Sequence, residues 1–198
     1  MARTRAADFE DKQRAILSSA AAVLAEQGMD KASMAQIAAE AQVSKALLYH
    51  YYPGKDALIF AIIRSHLQSL DAATEAADQP ALPAPERLHT LVHTMLAIYR
   101  DADNEHKVQL GGTPGLSDTQ RSEIHAIERR IVRRFASVLR QVNPALDGEK
   151  PLLMATTMSL FGMMNWAYLW FRDNGPLSRS EYAELTTRLI LDGIRKLP

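Results

Sequence analysis

The chain has 198 residues, enough for one large domain or two small ones. Apolar residues make up 47%, so a sizeable core is available and wholesale disorder is excluded. Lys+Arg and Asp+Glu both number 23; this zero net charge excludes a surface basic all over but leaves room for a local DNA-facing patch. There is no cysteine, which excludes a disulfide framework, a thiolate metal site and a thiol nucleophile. The opening MARTRAADFEDKQR is basic but lacks the apolar run of a secretory signal. A cytoplasmic location is expected.

Residues 8–27 carry Phe9, Ile16, Ala20, Val23 and Leu24 near one helical face, with an acidic first turn. Gly28 ends this helix as a left-handed cap would, and 29–32 is a short link. Arg3 and Arg5, ahead of the helix, are expected to be a disordered tail, with a flexible arm into the minor groove as the alternative. Residues 33–52, SMAQIAAEAQVSKALLYHYY, read as two short helices joined by a tight turn. Met34, Ile37, Ala38, Ala41, Val43 and Leu48 supply their inner positions. Ser33 caps the first and Ser44 the second, because a serine hydroxyl accepts the orphan amide protons of a helix start. The second helix holds Lys45, Leu47, Tyr49, His50 and Tyr51. A cation, an imidazole and phenols so close together suit phosphates and base edges better than a core. This is a helix-turn-helix.

Pro53-Gly54 closes that helix, and 55–76 is a longer one. Residues 78–85, DQPALPAP, form a proline-rich loop. A helix over 86–100 follows, then a short one within 101–110, then a GGTPG loop at 111–115. Over 118–141, Ile124, Ile127, Ile131, Phe135 and Val138 make one stripe, and the arginines on the other faces read as solvated. Asn143-Pro144 stops it. Pro151 opens the next helix, expected to run to about residue 172. Its core, 152–171, is uncharged and long enough to cross a bilayer. Two threonines, a serine, an asparagine and a mid-segment glycine dilute it, so it reads as a buried helix of a soluble oligomer. A turn at 174–176 and a capping box from Ser178 to Glu181 lead into a last helix, with Tyr182, Leu185, Leu189 and Ile190 on its apolar side. The expected fold is all-α, about nine helices: a helix-turn-helix domain over 8–54 (helix-turn-helix 33–52) and a larger helical domain over 55–198 for ligand binding and dimerisation.

Residues 12–60 resemble the DNA-binding domain of the tetracycline-repressor (TetR) family of transcriptional regulators. Ile16 to Gly28 is similar to the first helix with its terminal glycine. Ser33-Met34-x-x-Ile37-Ala38 resembles the start of the second. Val43-Ser44-Lys45-Ala46-x-Leu48-Tyr49-x-Tyr51-Tyr52 resembles the turn and recognition helix, and Pro53-Gly54-Lys55-Asp56-x-Leu58 the start of the fourth. Gln42 departs from the glycine usual in the turn, where a left-handed side chain is strained; Ala46 and Gly54 also depart. The stretch NWAYLWFRDNGPLS, 165–178, is similar to the end of the eighth helix in members that respond to acyl-CoA or other hydrophobic molecules.

The resemblance implies a homodimeric repressor of a palindromic double-stranded operator, released by a small hydrophobic effector, with a metal or anionic acyl-CoA-type effector as the alternative. It implies backbone contacts from Ser33, Ser44 and Lys45, phosphate or base contacts from Tyr49 and Tyr51, and a phosphate contact from Lys55. Tyr52 packs inward by the same pattern. Leu47 and His50 are the candidates for base readout, and Ala46 is grouped with them. Met95, Tyr99, Met158, Phe161, Met163 and Trp166 are the candidate pocket, since flexible methionine and aromatics suit an adaptable apolar site. Met154, Met158, Trp166, Tyr168, Leu185 and Leu189 are the candidate dimer interface, because the last two helices are too apolar to be solvated. His89-x-x-x-His93 places two imidazoles on one face, but no carboxylate or cysteine lies at a matching local step, and neither metal nor cofactor is assigned. No hydrolase, zincin, Walker or dinucleotide motif is present, so an enzyme is not expected. A helical interaction protein with a vestigial helix-turn-helix is the competing class.

Overall fold

The computed structural model describes residues 2–149 and 151–197, with side chains from residue 11 onward; Phe9, Arg3 and Arg5 therefore lie outside the described side chains. The helices are α1 (Ala2–Gln27), α2 (Met34–Glu40), α3 (Lys45–Tyr51), α4 (Lys55–Ala77), α5 (Ala84–Tyr99), α6 (Asp103–Gly112), α7 (Asp118–Val142), α8 (Leu153–Asn165), α9 (Ala167–Trp170) and α10 (Arg179–Ile194). Short 3-10 turns cover Thr113–Gly115 and Pro144–Asp147. There is no strand among the described residues. The one-turn α9 follows α8 after a single residue, and the described residues follow the expected all-α plan of about nine helices, with α9 as the extra turn.

Several boundaries differ from the sequence reading. Helix α1 begins at Ala2, so the basic tail is helical in its backbone. The uncharged stretch is not one helix: it breaks after Asn165, whose side-chain oxygen accepts a 2.8 Å hydrogen bond from Tyr99. Asparagine is a poor helix former because its side chain seeks such partners. After Trp170 the backbone of Phe171 turns extended, and no described helix is long and apolar enough to cross a membrane.

The chain divides into two compact units. The first holds residues up to Leu67 together with Ala102–His125. It is larger than the expected 8–54, and close packing explains why. Helix α6 packs on α1, and Gly112 lies so near α4 that an added Cβ would stand 2.7 Å from Ile59 Cγ2. The sequence reading treated Gly111-Gly112 as loop; they end a helix, and the absent side chain lets two helices touch. Ile16, Ala20, Leu24, Ile37, Leu48, Leu58, Ile62 and Ile63 are the interior.

Two histidines are buried in this unit, His66 of α4 and His106 of α6, with ring centroids 5.9 Å apart. Burial, and then the neighbouring His106, push His66 down from 6.5 to about 4. The folded state thus holds His66 neutral where an unfolded chain would protonate it.

The second unit holds Gln68–Asp101 and the chain from Ala126 onward. There α10 packs on α5 and α8. Leu88, Leu91, Val92 and Met95 of α5, Phe135 and Leu139 of α7, and Leu160 and Met164 of α8 are buried. Phe135 meets Phe161 edge to face at 5.0 Å. The α7 arginines are not a uniformly solvated face. Arg130 and Arg134 donate to the two oxygens of the buried Asp71, at 2.7 and 3.1 Å. Arg87 grips Asp78 with two nitrogens and gives a third hydrogen bond to Gln141. A buried carboxylate without such partners would be costly.

The sign of the His66 effect sets a pH dependence. Stability is full above the unfolded value of 6.5 and falls as pH drops toward about 4, a loss of about 3 kcal/mol if the whole shift is felt. Melting by circular dichroism should show a Tm about 5–10 °C lower at pH 4.5 than at pH 7.5 from this group, and His66→Gln should flatten that part of the profile.

Candidate nucleic-acid interface

The recognition helix α3 is seven residues long, too short to hold its shape alone. Local caps and one buried anchor hold it. The Ser44 hydroxyl accepts from the Leu47 amide at 3.1 Å. Leu48 is fully buried, α3 packs on α2, and Ile37 and Ala38 of α2 are buried as well. Helix α2 starts with a complete capping box: the Ser33 hydroxyl accepts from the Gln36 amide, and the Gln36 side chain accepts from the Ser33 amide at 2.9 Å. Between the helices the turn passes through Gln42 at φ 53°. The sequence identified this position as strained, and the chain takes the left-handed conformation there with a full side chain. The Val43 amide then donates to Ala38 O at 2.9 Å, closing the turn.

With Leu48 inward, Lys45, Ala46, Tyr49 and His50 are exposed, and Leu47 and Tyr51 are half-buried. Tyr49, half exposed at 50%, is a large aromatic left in solvent. Tyr52 is buried, as the pattern required, and burial raises its phenol. Ser33 and Ser44 are exposed while serving as caps. The predicted helix-turn-helix contact residues are thus exposed or half-buried. Lys55 is different. Its ammonium donates to the carbonyls of Asp30 and Ala32, at 3.1 and 3.2 Å. Sequence reasoning missed this, since no local signal ties a lysine to carbonyls more than twenty residues earlier.

Comparison with known proteins decides the family. Residues 81–194 match the model of the tetracyclin repressor-like C-terminal domain, and 16–62 match that of the bacterial regulatory proteins of the tetR family. The chain belongs to the TetR family of transcriptional regulators. It is 31% identical over 144 residues to the HTH-type transcriptional regulator BetI of Rhizobium meliloti, covering 70% of each chain. BetI of Brucella canis is 36% identical over 81 residues, 41% of each chain. Among solved structures, a TetR-family regulator from Bordetella parapertussis superposes with a TM-score of 0.85 at 31% identity, covering 94% of this chain and 97% of that one. AibR in complex with isovaleryl coenzyme A and operator DNA gives 0.78 at 25% identity, covering 90% and 97%.

In this TetR-family chain the six candidate pocket residues differ in burial. Met95, Tyr99 and Phe161 are core, and Met163 is half-buried. Met158 and Trp166 are 51% and 60% exposed. A cleft of about 490 Å³ between α5 and α10 is lined by other residues, among them Leu82, Pro85, His89, Glu184, Arg188 and Leu191. His89 and His93 stack at 6.3 Å, and no group of three or more metal-ligating side chains occurs among the described residues.

The candidate interface residues fall mostly on the open side. Met154, Met158 and Trp166 are exposed at spacings of four and eight along α8 and just past its end; Leu185 and Leu189 are exposed on α10, and Tyr168 is half-buried. This corrects the single apolar side expected for α10. Its buried arc runs through Ala183, Thr186, Thr187, Ile190 and Ile194. Helices α5 and α8 occupy that arc, and the two leucines are left outside it.

Relief of the turn is measurable. Gln42→Gly removes a left-handed side chain costing about 1–2 kcal/mol and adds about 0.5–1 kcal/mol of unfolded-chain entropy. The expected net is a Tm higher by about 1–3 °C in a thermal melt. A fall in Tm would show that the glutamine side chain contributes something the backbone argument omits.

Proposed function

We propose that this TetR-family regulator is a homodimeric repressor that binds a palindromic operator through α3 and is released by a small, largely apolar effector. The observation that carries the reading is α3 itself: a capped helix anchored by Leu48, with Lys45, Tyr49 and His50 turned outward. Lysine and tyrosine are suited to phosphates, and His50 and the Leu47 side chain to base edges and thymine methyls. Ser33, Ser44, Ala46 and Tyr51 complete the surface.

One seven-residue helix on a chain of zero net charge would hold DNA weakly. Two copies, with helices spaced about 34–36 Å to meet successive major grooves, bind usefully. The exposed apolar side chains of the α8 and α10 region support this arrangement: Met154, Met158, Trp166, Leu185 and Leu189 are left in water, and apolar side chains exposed together mark interaction surfaces. A self-complementary four-helix contact would bury it. Support for an effector comes from AibR, solved with isovaleryl coenzyme A and operator DNA. An acyl-CoA-type ligand, the anionic alternative to a purely apolar effector, is therefore the first class to test.

Anisotropy titration on a labelled fragment from upstream of the chain's own gene should give affinity that falls steeply with salt and is lost in Lys45→Ala/Tyr49→Ala; no salt-sensitive binding would sink the reading. Light scattering at micromolar protein should report twice 22.0 kDa, and Leu189→Glu should shift it toward the single-chain mass while preserving the circular dichroism spectrum. Adding isovaleryl or longer acyl-CoA should raise Tm and lower operator affinity.

A further inference from the structure

We propose that Gln42 is a DNA contact: its side-chain amide donates to a phosphate oxygen beside the recognition helix, and this contact is what keeps a strained residue in the turn. This rests on the DNA-binding reading above and adds to it a contact ahead of α3.

Three observations carry it. First, Gln42 holds φ at 53° with a full side chain, a conformation that glycine takes freely and other residues take under strain. Where α1 ends in the left-handed region, at φ 87°, the chain uses Gly28. Second, nothing inside the protein offsets the strain. The Gln42 amide donates to Ala39 O at 3.1 Å and the Val43 amide to Ala38 O at 2.9 Å, and glycine at position 42 would leave both bonds intact. The Gln42 side chain is exposed and has no hydrogen-bond partner among the described residues. Third, Gln42 stands two residues before Ser44, the exposed cap of α3, and three before the exposed Lys45. The Cα atoms of Gln42 and Lys45 therefore lie within about 11 Å of each other, so a duplex that meets Lys45 passes close to Gln42.

The place of the turn selects the phosphate. In a helix-turn-helix the first helix crosses the DNA backbone, and the N-terminal residues of the second meet base edges. The turn between them lies where the chain passes from backbone to groove. A glutamine amide is a neutral donor of the kind phosphate oxygens accept. The backbone bonds of Gln42 and Val43 hold the turn in place before DNA arrives, so little order is lost when the contact forms. A strained residue, fixed by its surroundings and unused by the fold, is the pattern of a functional position.

Full-length Gln42→Ala and Gln42→Gly separate the amide from the backbone, since alanine keeps the strained Cβ and glycine removes it. In anisotropy titrations both variants should bind promoter and scrambled DNA alike about tenfold more weakly than the wild type, the share of one hydrogen bond to a charged acceptor. The slope of log affinity against log salt should stay at the wild-type value, because glutamine carries no charge. Wild-type affinity in Gln42→Ala overturns the proposal, whatever Gln42→Gly does, since a loss in the glycine variant alone reports backbone looseness. A loss confined to one operator base pair also overturns it, because that marks base readout. In the wild type, the side-chain NH2 resonances of Gln42 should shift when DNA is added; unmoved resonances overturn the contact even if a variant does not fold. A wild type that binds no DNA defeats the functional reading and this contact with it, whereas DNA binding left unchanged by Gln42→Ala defeats the contact alone.

Discussion

A helix of seven residues cannot stand alone, because helix nucleation costs more than so few hydrogen bonds return. That constraint governs the first unit. Helix α3 exists because Leu48 is buried on α2, Ser44 caps its start, and the turn through Gln42 aims it. Each support faces inward or toward the backbone. The outward face is thereby left to Lys45, Ala46, Tyr49 and His50, which are exposed. Exposure of polar and aromatic side chains on so small an element is a consequence of where its single anchor points.

The second unit answers to a different constraint, the satisfaction of buried polar groups. Asp71 is buried and receives two arginines, Arg87 is buried and receives Asp78 and Gln141, and Tyr182 donates to the Met163 carbonyl. Thr157 and Thr187 turn their hydroxyls back to carbonyls four residues earlier, which lets α8 and α10 bury threonine at no unpaired cost. With polar residues accommodated inside, apolar ones remain outside. Met158, Trp166 and Leu189 lie on that outer face, and the proposed second copy is what would cover them.

Much of this was legible from residue order. Caps at Ser33, Ser44 and Ser178, the stop at Gly28, the strained turn at Gln42 and the inward Tyr52 are local events, decided within a few residues by hydrogen bonding and φ preference. They could be read because their physics has the same range as the reading. The break after Asn165 was less accessible. Asparagine only weakly signals a helix end, and its bond to Tyr99, 66 residues earlier, is a contact between distant segments that periodicity does not show.

What the sequence by itself determined is the all-α plan, the family and the helix-turn-helix, since periodicity, capping and a motif at fixed spacing are all short-range properties. What only the tertiary structure decided is which apolar face is covered and which charge is occupied. Leu185 and Ile190 look alike along the chain, and packing of α5 and α8 on one side of α10 separates them. Lys55 looks like a free cation, and its amine meets two carbonyls that the sequence places more than twenty residues away. In both cases the deciding energy lies in contacts between segments distant in the chain, which periodicity cannot encode.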